Sequence, residues 1–360
     1  MGRPLGLHLR RGPVVAQDRA RRQHRHCQRR GLAGAAARRQ RPGRGQRRGD
    51  PQPPAPRAQL RSRLGTLALY DGRFSPPRTF AWLEPEDCAY DSSRVVVLPV
   101  PYDSTTSGKP GTRSGPDAII DASAEMELFD VEVGLEPYRV GIHTLPSIAP
   151  HTGDPGEMVR RVESVAGELI DDGKFVVTLG GEHTIAAGPA RAHAARKPGL
   201  SVLAIDAHAD MRDEYLDSPW NHACVLRRIS EVAPVTQVGL RSACREEYEH
   251  ILAAGFHYYT PGGYRSEGGA ETVIQHLADD VYITIDIDGL DPAEMAAVGT
   301  PEPGGLWFGE LSELLKAVCR ERNVVGFDVT ELAPDEGPFS CAQLAAKLVY
   351  RLIGFATAPR

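Results

Sequence analysis

Ser201-Val-Leu-Ala-Ile-Asp-Ala-His-Ala-Asp210 is the stretch on which the reading of the fold turns. After Ser201 the next four residues, Val-Leu-Ala-Ile205, are apolar and free of turn formers, as in a strand covered on both faces. The next five change character. In an extended segment side chains two apart share a face, so Asp206, His208 and Asp210 point one way while Ala207 and Ala209 pack behind them. A second apolar run over 281–285 ends in the same manner, in Asp286-Ile-Asp288. Five ligating groups so close would repel if unpaired, because desolvation and like charge both oppose ionising neighbouring carboxylates. Divalent cations remove that objection. A lone Asp-x-Asp reads as a solvated acidic turn; two of them, each directly after a buried strand, read as a metal site.

Working outward, short β-branched runs over 94–100, 139–145, 174–179, 201–205, 235–240, 281–285 and 324–329 predict strands. Between them helical periodicity runs over 156–172, 185–196, 223–231, 245–254, 271–278, 309–322 and 341–352. Such alternation implies a mainly parallel sheet with helices on both sides. Residues 65–90, rich in proline and aromatics, read as an N-terminal arm, and no internal repeat is visible. A parallel sheet binds its ligands beyond the carboxyl ends of its strands. The polar residues fall there: Gly-Gly-Glu-His-Thr at 180–184, the two acidic motifs, and Thr330-Glu331-Leu-Ala-Pro334. Four loops at one sheet edge can converge on one pocket.

Bulk properties bound the rest. No apolar run approaches the ~20 residues of a membrane span, so no membrane partner is expected. The net charge of −5 conceals a split. Residues 1–64 carry 18 Arg, no Lys and two acids (Asp18, Asp50), hence +16, which leaves −21 on the remainder. That segment has no sustained apolar period and cannot bury enough surface to offset its ordering entropy. It is expected to be a disordered tail, 1–64, ahead of a single domain over 65–360. A mitochondrial presequence and a nucleic-acid arm are weighed for it; the favoured reading is translated sequence upstream of the true start, so no nucleic-acid partner is expected. Six cysteines without Cys-x-x-Cys spacing suggest neither zinc ribbon nor disulfide framework. A reducing, cytoplasmic setting follows.

Gly-Gly-Glu-His-Thr184, Asp206-Ala-His-Ala-Asp-Met-Arg212 and Asp286-Ile-Asp-Gly-Leu-Asp-Pro292, in this order, resemble the arginase/agmatinase (ureohydrolase) family, and most closely its agmatinase branch. Pro101-Tyr-Asp103, 110–116, 299–305 and 344–350 add matches, so the resemblance spans about residues 70–357. It implies an arginase-like three-layer α/β/α sandwich around a mainly parallel sheet, assembled as a homo-oligomer, trimer or hexamer. It also implies two Mn²⁺ per subunit held by His183, Asp206, His208, Asp210, Asp286 and Asp288. Asp206 and Asp286 would bridge, one ion adding His183 and Asp210, the other His208 and Asp288. Four carboxylates would nearly neutralise two dications. Oxygen-rich ligation with two imidazoles suits Mn²⁺, although Zn²⁺, Co²⁺ or Ni²⁺ bind more tightly on intrinsic affinity, so the metal's identity comes from the resemblance.

The implied catalytic residues are Asp210, His222 and Glu331. Two cations can acidify a water near neutral pH, and the resonance-stabilised guanidinium carbon needs a strong nucleophile. Asp210 would orient that nucleophile. Glu331 would hold the guanidinium by a charge-assisted paired hydrogen bond, although Val-Thr-Glu-Leu stands here where the family commonly has Val-Glu-Val. His222 would protonate the departing amine, although Ala223 replaces the usual following glycine. Asp328 and His143, His151, His193, His250, His257 and His276 are read as structural or surface residues.

Substrate discrimination must come from the far end of the guanidine. Asp213, Glu214 and Asp217 in the loop 212–217 would repel a carboxylate and tolerate an amine, although Ser218 and Asn221 could donate to one. Agmatine, cleaved to putrescine and urea in polyamine biosynthesis, is therefore expected as the small-molecule partner. Guanidinobutyrase, guanidinopropionase and arginase activities are the alternatives within the family, and a non-catalytic metal-binding relative is the alternative outside it. A single-zinc deacetylase is disfavoured because all six ligand positions are kept.

Overall fold

The computed structural model describes residues 78–359. The expected tail over 1–64 and the start of the N-terminal arm lie outside the described residues. The strands are β1 (Val95–Val100), β2 (Ile142–Thr144), β3 (Phe175–Gly180), β4 (Ser201–Ile205), β5 (Val235–Val238), β6 (His257–Tyr259), β7 (Asp280–Asp286) and β8 (Asn323–Thr330). The helices are α1 (Gly115–Ser123), α2 (Pro155–Asp171), α3 (Ala187–Arg196), α4 (Val225–Ser230), α5 (Arg245–Ala254), α6 (Pro261–Ser266), α7 (Ala270–Gln275), α8 (Phe308–Glu321) and α9 (Phe339–Thr357).

Continuous apolar runs need cover on both faces, and the core has that form. Leu203 and Ile205 of β4 join Ile119 of α1, Leu315 of α8 and Val349 of α9 on one side of the sheet. Val202 and Ala204 join Ala190 of α3 and Leu226 of α4 on the other, where Met158 and Val162 of α2 cover Val96 and Val176. The outcome is the expected three-layer arrangement around one parallel sheet in the order β2-β1-β3-β8-β7-β4-β5-β6. Among the described residues no helix is long and apolar enough to cross a membrane, and no disulfide joins the described cysteines.

Sheet order matters for function because it reorders the chain. β3, β8, β7 and β4 lie side by side at the centre, and their registers level Leu179 with Val329, Val329 with Ile285, and Ile285 with Ile205. The residues that follow these four positions therefore leave the sheet at one height.

Several element boundaries depart from the sequence reading. The strand expected over 139–145 shrinks to β2, because Pro137–Val140 forms a 3₁₀ turn closed by Gly141 at φ +73°. β6 was not anticipated; it is three residues at the sheet edge, paired on one side to β5, too short for a periodic signal. α1 and α6 were likewise missed, each opening on a Gly/Pro dipeptide that reads locally as a turn. α9 extends to Thr357, past the expected end at 352. Within the N-terminal arm, Phe80 and Leu83 are buried in the core rather than lying over it.

One core residue makes stability depend on pH. His193 of α3 is buried against the Tyr282 ring, in space that Gly326 leaves open, and its Nε2 has no partner. Burial, with Arg196 and Lys197 adding to it, lowers its pKa to about 4. The unfolded chain takes up a proton near pH 6.5 while the fold does not, so stability is lost as pH falls from about 6.5 to about 4. Compared with His193→Phe, the wild type should lose about 2 kcal/mol more between pH 7.5 and pH 5, read from urea unfolding at both pH values. An equal loss in the two proteins would count against this assignment.

Candidate metal centre and substrate cavity

At the end of β3 the backbone of 180–182 runs against the loop after β1. A Cβ on Gly181 would fall 1.9 Å from the Tyr102 carbonyl oxygen, so the position requires glycine, and Glu182 N–H donates to that carbonyl at 2.7 Å. His183 follows, fully buried. Its Nδ1 lies 3.1 Å from Asp210 Oδ2, 3.2 Å from Asp206 Oδ2 and 3.5 Å from Asp286 Oδ2. On the other side of the ring, Nε2 is 2.9 Å from the Thr284 hydroxyl, which donates to Asp328 Oδ1 at 2.8 Å. Because that hydroxyl proton is committed to Asp328, the hydroxyl oxygen accepts from Nε2–H, and Nδ1 is left as the ligating nitrogen. Tyr282 donates to the other oxygen of Asp328 at 2.7 Å.

The remaining acids converge from the neighbouring strands. Asp206 Oδ1 accepts from His208 N–H at 2.6 Å, while Asp206 Oδ2 is buried without a hydrogen-bond partner. Asp286 Oδ1 accepts from Asp288 N–H at 2.9 Å, and Asp288 Oδ2 sits 2.9 Å from His208 Nδ1. Asp210 (φ +49°) and Glu331 (φ +66°) both adopt the left-handed region that non-glycine residues avoid. Strain held at two functional candidates marks positions over-determined by their surroundings.

Ligand atoms of His183, Asp206, Asp210 and Asp286 lie within 4.8 Å of one another, as do those of Asp206, His208 and Asp288. All six sequence-derived candidates are thus together. Asp206 belongs to both groups, whereas Asp286 joins the first. Electrostatics point the same way. Burial, then Asp210, raises the Asp206 pKa to about 7, and burial with Asp288 raises that of Asp286 well above the carboxylate range. Burial opposes charge on His208, yet Asp288 and its neighbours outweigh it and lift the pKa to about 10. For His183 the same contest, won by Asp206 and Asp210, ends well above the usual imidazole value. An orphaned buried carboxylate oxygen inside an acid-rich, thiol-free donor set fits divalent cations.

The cluster opens on a cavity of about 350 Å³, within the range of small-molecule sites. His208, Asp210, Asp286, Glu331 and His222 all line it. Glu331 is buried; its Oε1 accepts from His183 N–H at 2.6 Å, and burial, with Glu182 nearby, raises its pKa well above the usual range. His222 donates Nδ1–H to the Thr105 carbonyl at 2.9 Å, so Nε2, 3.0 Å from Ser107 Oγ, is the nitrogen free to exchange a proton. Thr105 in turn is gripped by the buried carboxylate of Glu182 through both its amide and its hydroxyl.

One expectation fails. Of the loop 212–217, Arg212 and Tyr215 line the cavity, while Asp213 turns away to pair with Arg228. The carboxylate beside the cavity mouth is instead Glu247 of α5, which accepts from Met211 N–H at 3.1 Å and Cys244 N–H at 2.9 Å. Glu247, Thr105, Ser107 and Thr284 were not singled out in the sequence. For Thr284 a signal exists, since Tyr282, Thr284 and Asp286 alternate onto one face of β7. Asp328, read as structural, is structural in a specific sense: it fixes His183. Cys224 is buried beside His222, and burial pushes its thiol up to about 12, which leaves it inert.

The Arginase family profile matches residues 93–354. The chain belongs to the arginase family. An N(1)-aminopropylagmatine ureohydrolase of Thermus thermophilus is 40% identical over 271 residues, covering 75% of this chain and 92% of that protein. An agmatinase of Pyrococcus horikoshii is 34% identical, covering 72% and 90%. Among solved structures, the agmatine ureohydrolase of Thermoplasma volcanium superposes with a TM-score of 0.71 at 30% identity, covering 83% of this chain and 97% of that one. The chain is an arginase-family ureohydrolase.

For this ureohydrolase the crowding of acids predicts opposite effects on stability and on cation uptake. Asp206→Asn should raise the melting temperature of the metal-stripped protein by a few degrees, because it relieves the repulsion between buried Asp206 and its neighbours Asp210 and Asp288. The same change should abolish most divalent-cation uptake, measured by elemental analysis after dialysis. In the wild type, cation at hundredfold excess over Kd should stabilise the fold by about 3 kcal/mol.

Proposed function

We propose that this enzyme hydrolyses the guanidinium group of an amine-tailed guanidine to urea and a polyamine, with two Mn²⁺ ions held by His183, Asp206, His208, Asp210, Asp286 and Asp288. The observation that carries the reading is the pair of ligand groups sharing Asp206, opening on a cavity whose wall includes Glu331 and His222. Bound there, two divalent cations would acidify a water and so supply a nucleophile at neutral pH. The chain's own groups do the rest. Glu331, one oxygen engaged by His183 N–H, has a second oxygen to accept from the guanidinium and orient its carbon. Asp210, held in its left-handed turn, orients the incoming oxygen. His222 passes a proton from Nε2 to the departing amine, its tautomer set by the Thr105 carbonyl.

The tail of the substrate is read from chemistry and kinship together. Away from the proposed ligands and Glu331, the cavity wall offers one carboxylate for an amine, Glu247, beside Arg212 and Lys109. The relatives named above act on agmatine or its N1-aminopropyl derivative, and the more similar of them carries the aminopropyl name. The aminopropylated guanidine is accordingly the first reading and agmatine the second. The catalytic domain spans 65–360 in this reading, acting as a cytoplasmic homo-oligomer.

Urea release by Mn²⁺-loaded protein from N1-aminopropylagmatine, agmatine, arginine and guanidinobutyrate decides among them. The two amine-tailed compounds should exceed the carboxylates by at least tenfold in kcat/KM; a preference for arginine or guanidinobutyrate would sink the proposal. His222→Asn should lower kcat by about 10²–10⁴-fold with little change in KM, the range expected for loss of a general acid. Glu331→Gln should lower kcat/KM at least as much.

A further inference from the structure

Arg241 stands just past β5, and among the described residues its guanidinium meets no carboxylate. Nη1 donates to the carbonyls of Gly239 (3.0 Å) and Gly289 (3.2 Å). Nη2 donates to those of Asp288 (2.8 Å), Leu290 (3.1 Å) and Glu302 (2.6 Å), and Nε to Glu302 again at 3.2 Å. The backbone of the same residue is tied elsewhere. Arg241 N–H and Ser242 N–H both donate to the Ala207 carbonyl, at 2.8 and 2.9 Å, and Ser242 returns its carbonyl to Ala209 N–H at 3.0 Å. One residue thus fastens the 206–210 loop through its main chain and the 288–290 turn through its side chain. A guanidinium is a rigid fork with five N–H donors, and lysine has no equivalent for gathering carbonyls in a plane.

The two ligand groups depend on this clamp unequally. His183 is oriented by Thr284 and Asp328, and Asp286 is the last residue of β7, held by its ladder. Asp288 lies beyond the strand in the single 3₁₀ turn Ile287–Gly289, whose Gly289 carbonyl also accepts from Leu306 N–H. The carbonyls of Asp288 and Leu290, on either side, run to Arg241.

We propose that Arg241 is a positioning residue that holds the 288–290 turn against the 206–210 loop, and so sets occupancy of the cation site formed by Asp206, His208 and Asp288 while sparing the site formed by His183, Asp206, Asp210 and Asp286. The inference rests on the metal reading above and deepens it. It makes the two sites separable by a change that touches no ligand.

The test uses the full chain, stripped by chelator and titrated with Mn²⁺ by calorimetry, with bound metal counted by elemental analysis and the Mn²⁺ spin signal recorded. Wild type should take up two ions and give the spectrum of a coupled pair. Arg241→Gln should bind the first ion within about threefold of wild type and the second at least tenfold more weakly, the low end for loss of an outer support. At one equivalent it should show an isolated-ion spectrum, with activity recovering as Mn²⁺ is raised. Arg241→Lys, which keeps the charge and loses the fork, should fall between. Both ions weakening together, or neither weakening in a folded variant, overturns the inference. So does failure of both variants to fold, since Arg241 would then serve the chain as a whole. Wild-type protein that takes up no Mn²⁺ would remove the metal reading, and this inference with it.

Discussion

The constraint around which the structure is organised is electrostatic. Glu182, Asp206, Asp210, Asp286, Asp288, Asp328 and Glu331 are all buried within a few loops of one another, with His183 and His208 among them. Carboxylates in low dielectric repel one another and resist ionisation, and the raised pKa values of Asp206, Asp286 and Glu331 record the cost. Hydrogen bonds offset part of it: Asp328 is satisfied by Tyr282 and Thr284, and Glu182 by Thr105. Asp206 Oδ2 has no hydrogen-bond partner among the described residues. A centre of this kind is built to be completed by positive charge, and the guanidino chemistry of the family follows from what such charge does to water.

Holding these acids in place is the work of backbone rather than of ligand identity. Asp210 and Glu331 accept left-handed φ values, Gly181 lets two chains meet where a Cβ would collide, and the Arg241 fork gathers the turn that bears Asp288. The support around the ligands differs on the two sides of Asp206. His183 is backed by a chain of side chains running into the sheet, whereas Asp288 is backed by main-chain carbonyls drawn to one guanidinium. Side-chain relays fix the orientation of a ring; carbonyl clamps fix the path of a turn.

The acids of the candidate cation cluster and the charged groups on the rest of the cavity wall come from different elements. The candidate cation cluster uses the ends of β3, β4 and β7. The rest of the cavity wall takes Arg212 and Tyr215 from one loop and Glu247 from the start of α5, where Glu247 also ties Met211 and Cys244. Reading the loop 212–217 by composition assigned selectivity to Asp213, Glu214 and Asp217; none of the three lines the cavity, and Arg228 claims the first.

The local pattern was sufficient for the layer architecture and for five of the six candidate ligands, His183 being supplied by the resemblance, because each of those features lives within a few residues. An apolar run followed by an alternating acidic motif carries its own periodicity, and two such motifs state their chemistry without reference to neighbours. Short or atypical elements such as β6 and α1 carry too little periodicity to be read, being defined by their partners. Tertiary structure alone decided that β3, β4, β7 and β8 become adjacent in the order β3-β8-β7-β4, which brings His183, Asp206, Asp286 and Glu331 to one height from positions up to 148 residues apart. It also decided which face each loop residue shows the cavity, and that Thr284, Asp328 and Arg241 stand behind the ligands. Contacts between distant segments leave no periodic trace in a chain; they exist only once the sheet has closed the distance.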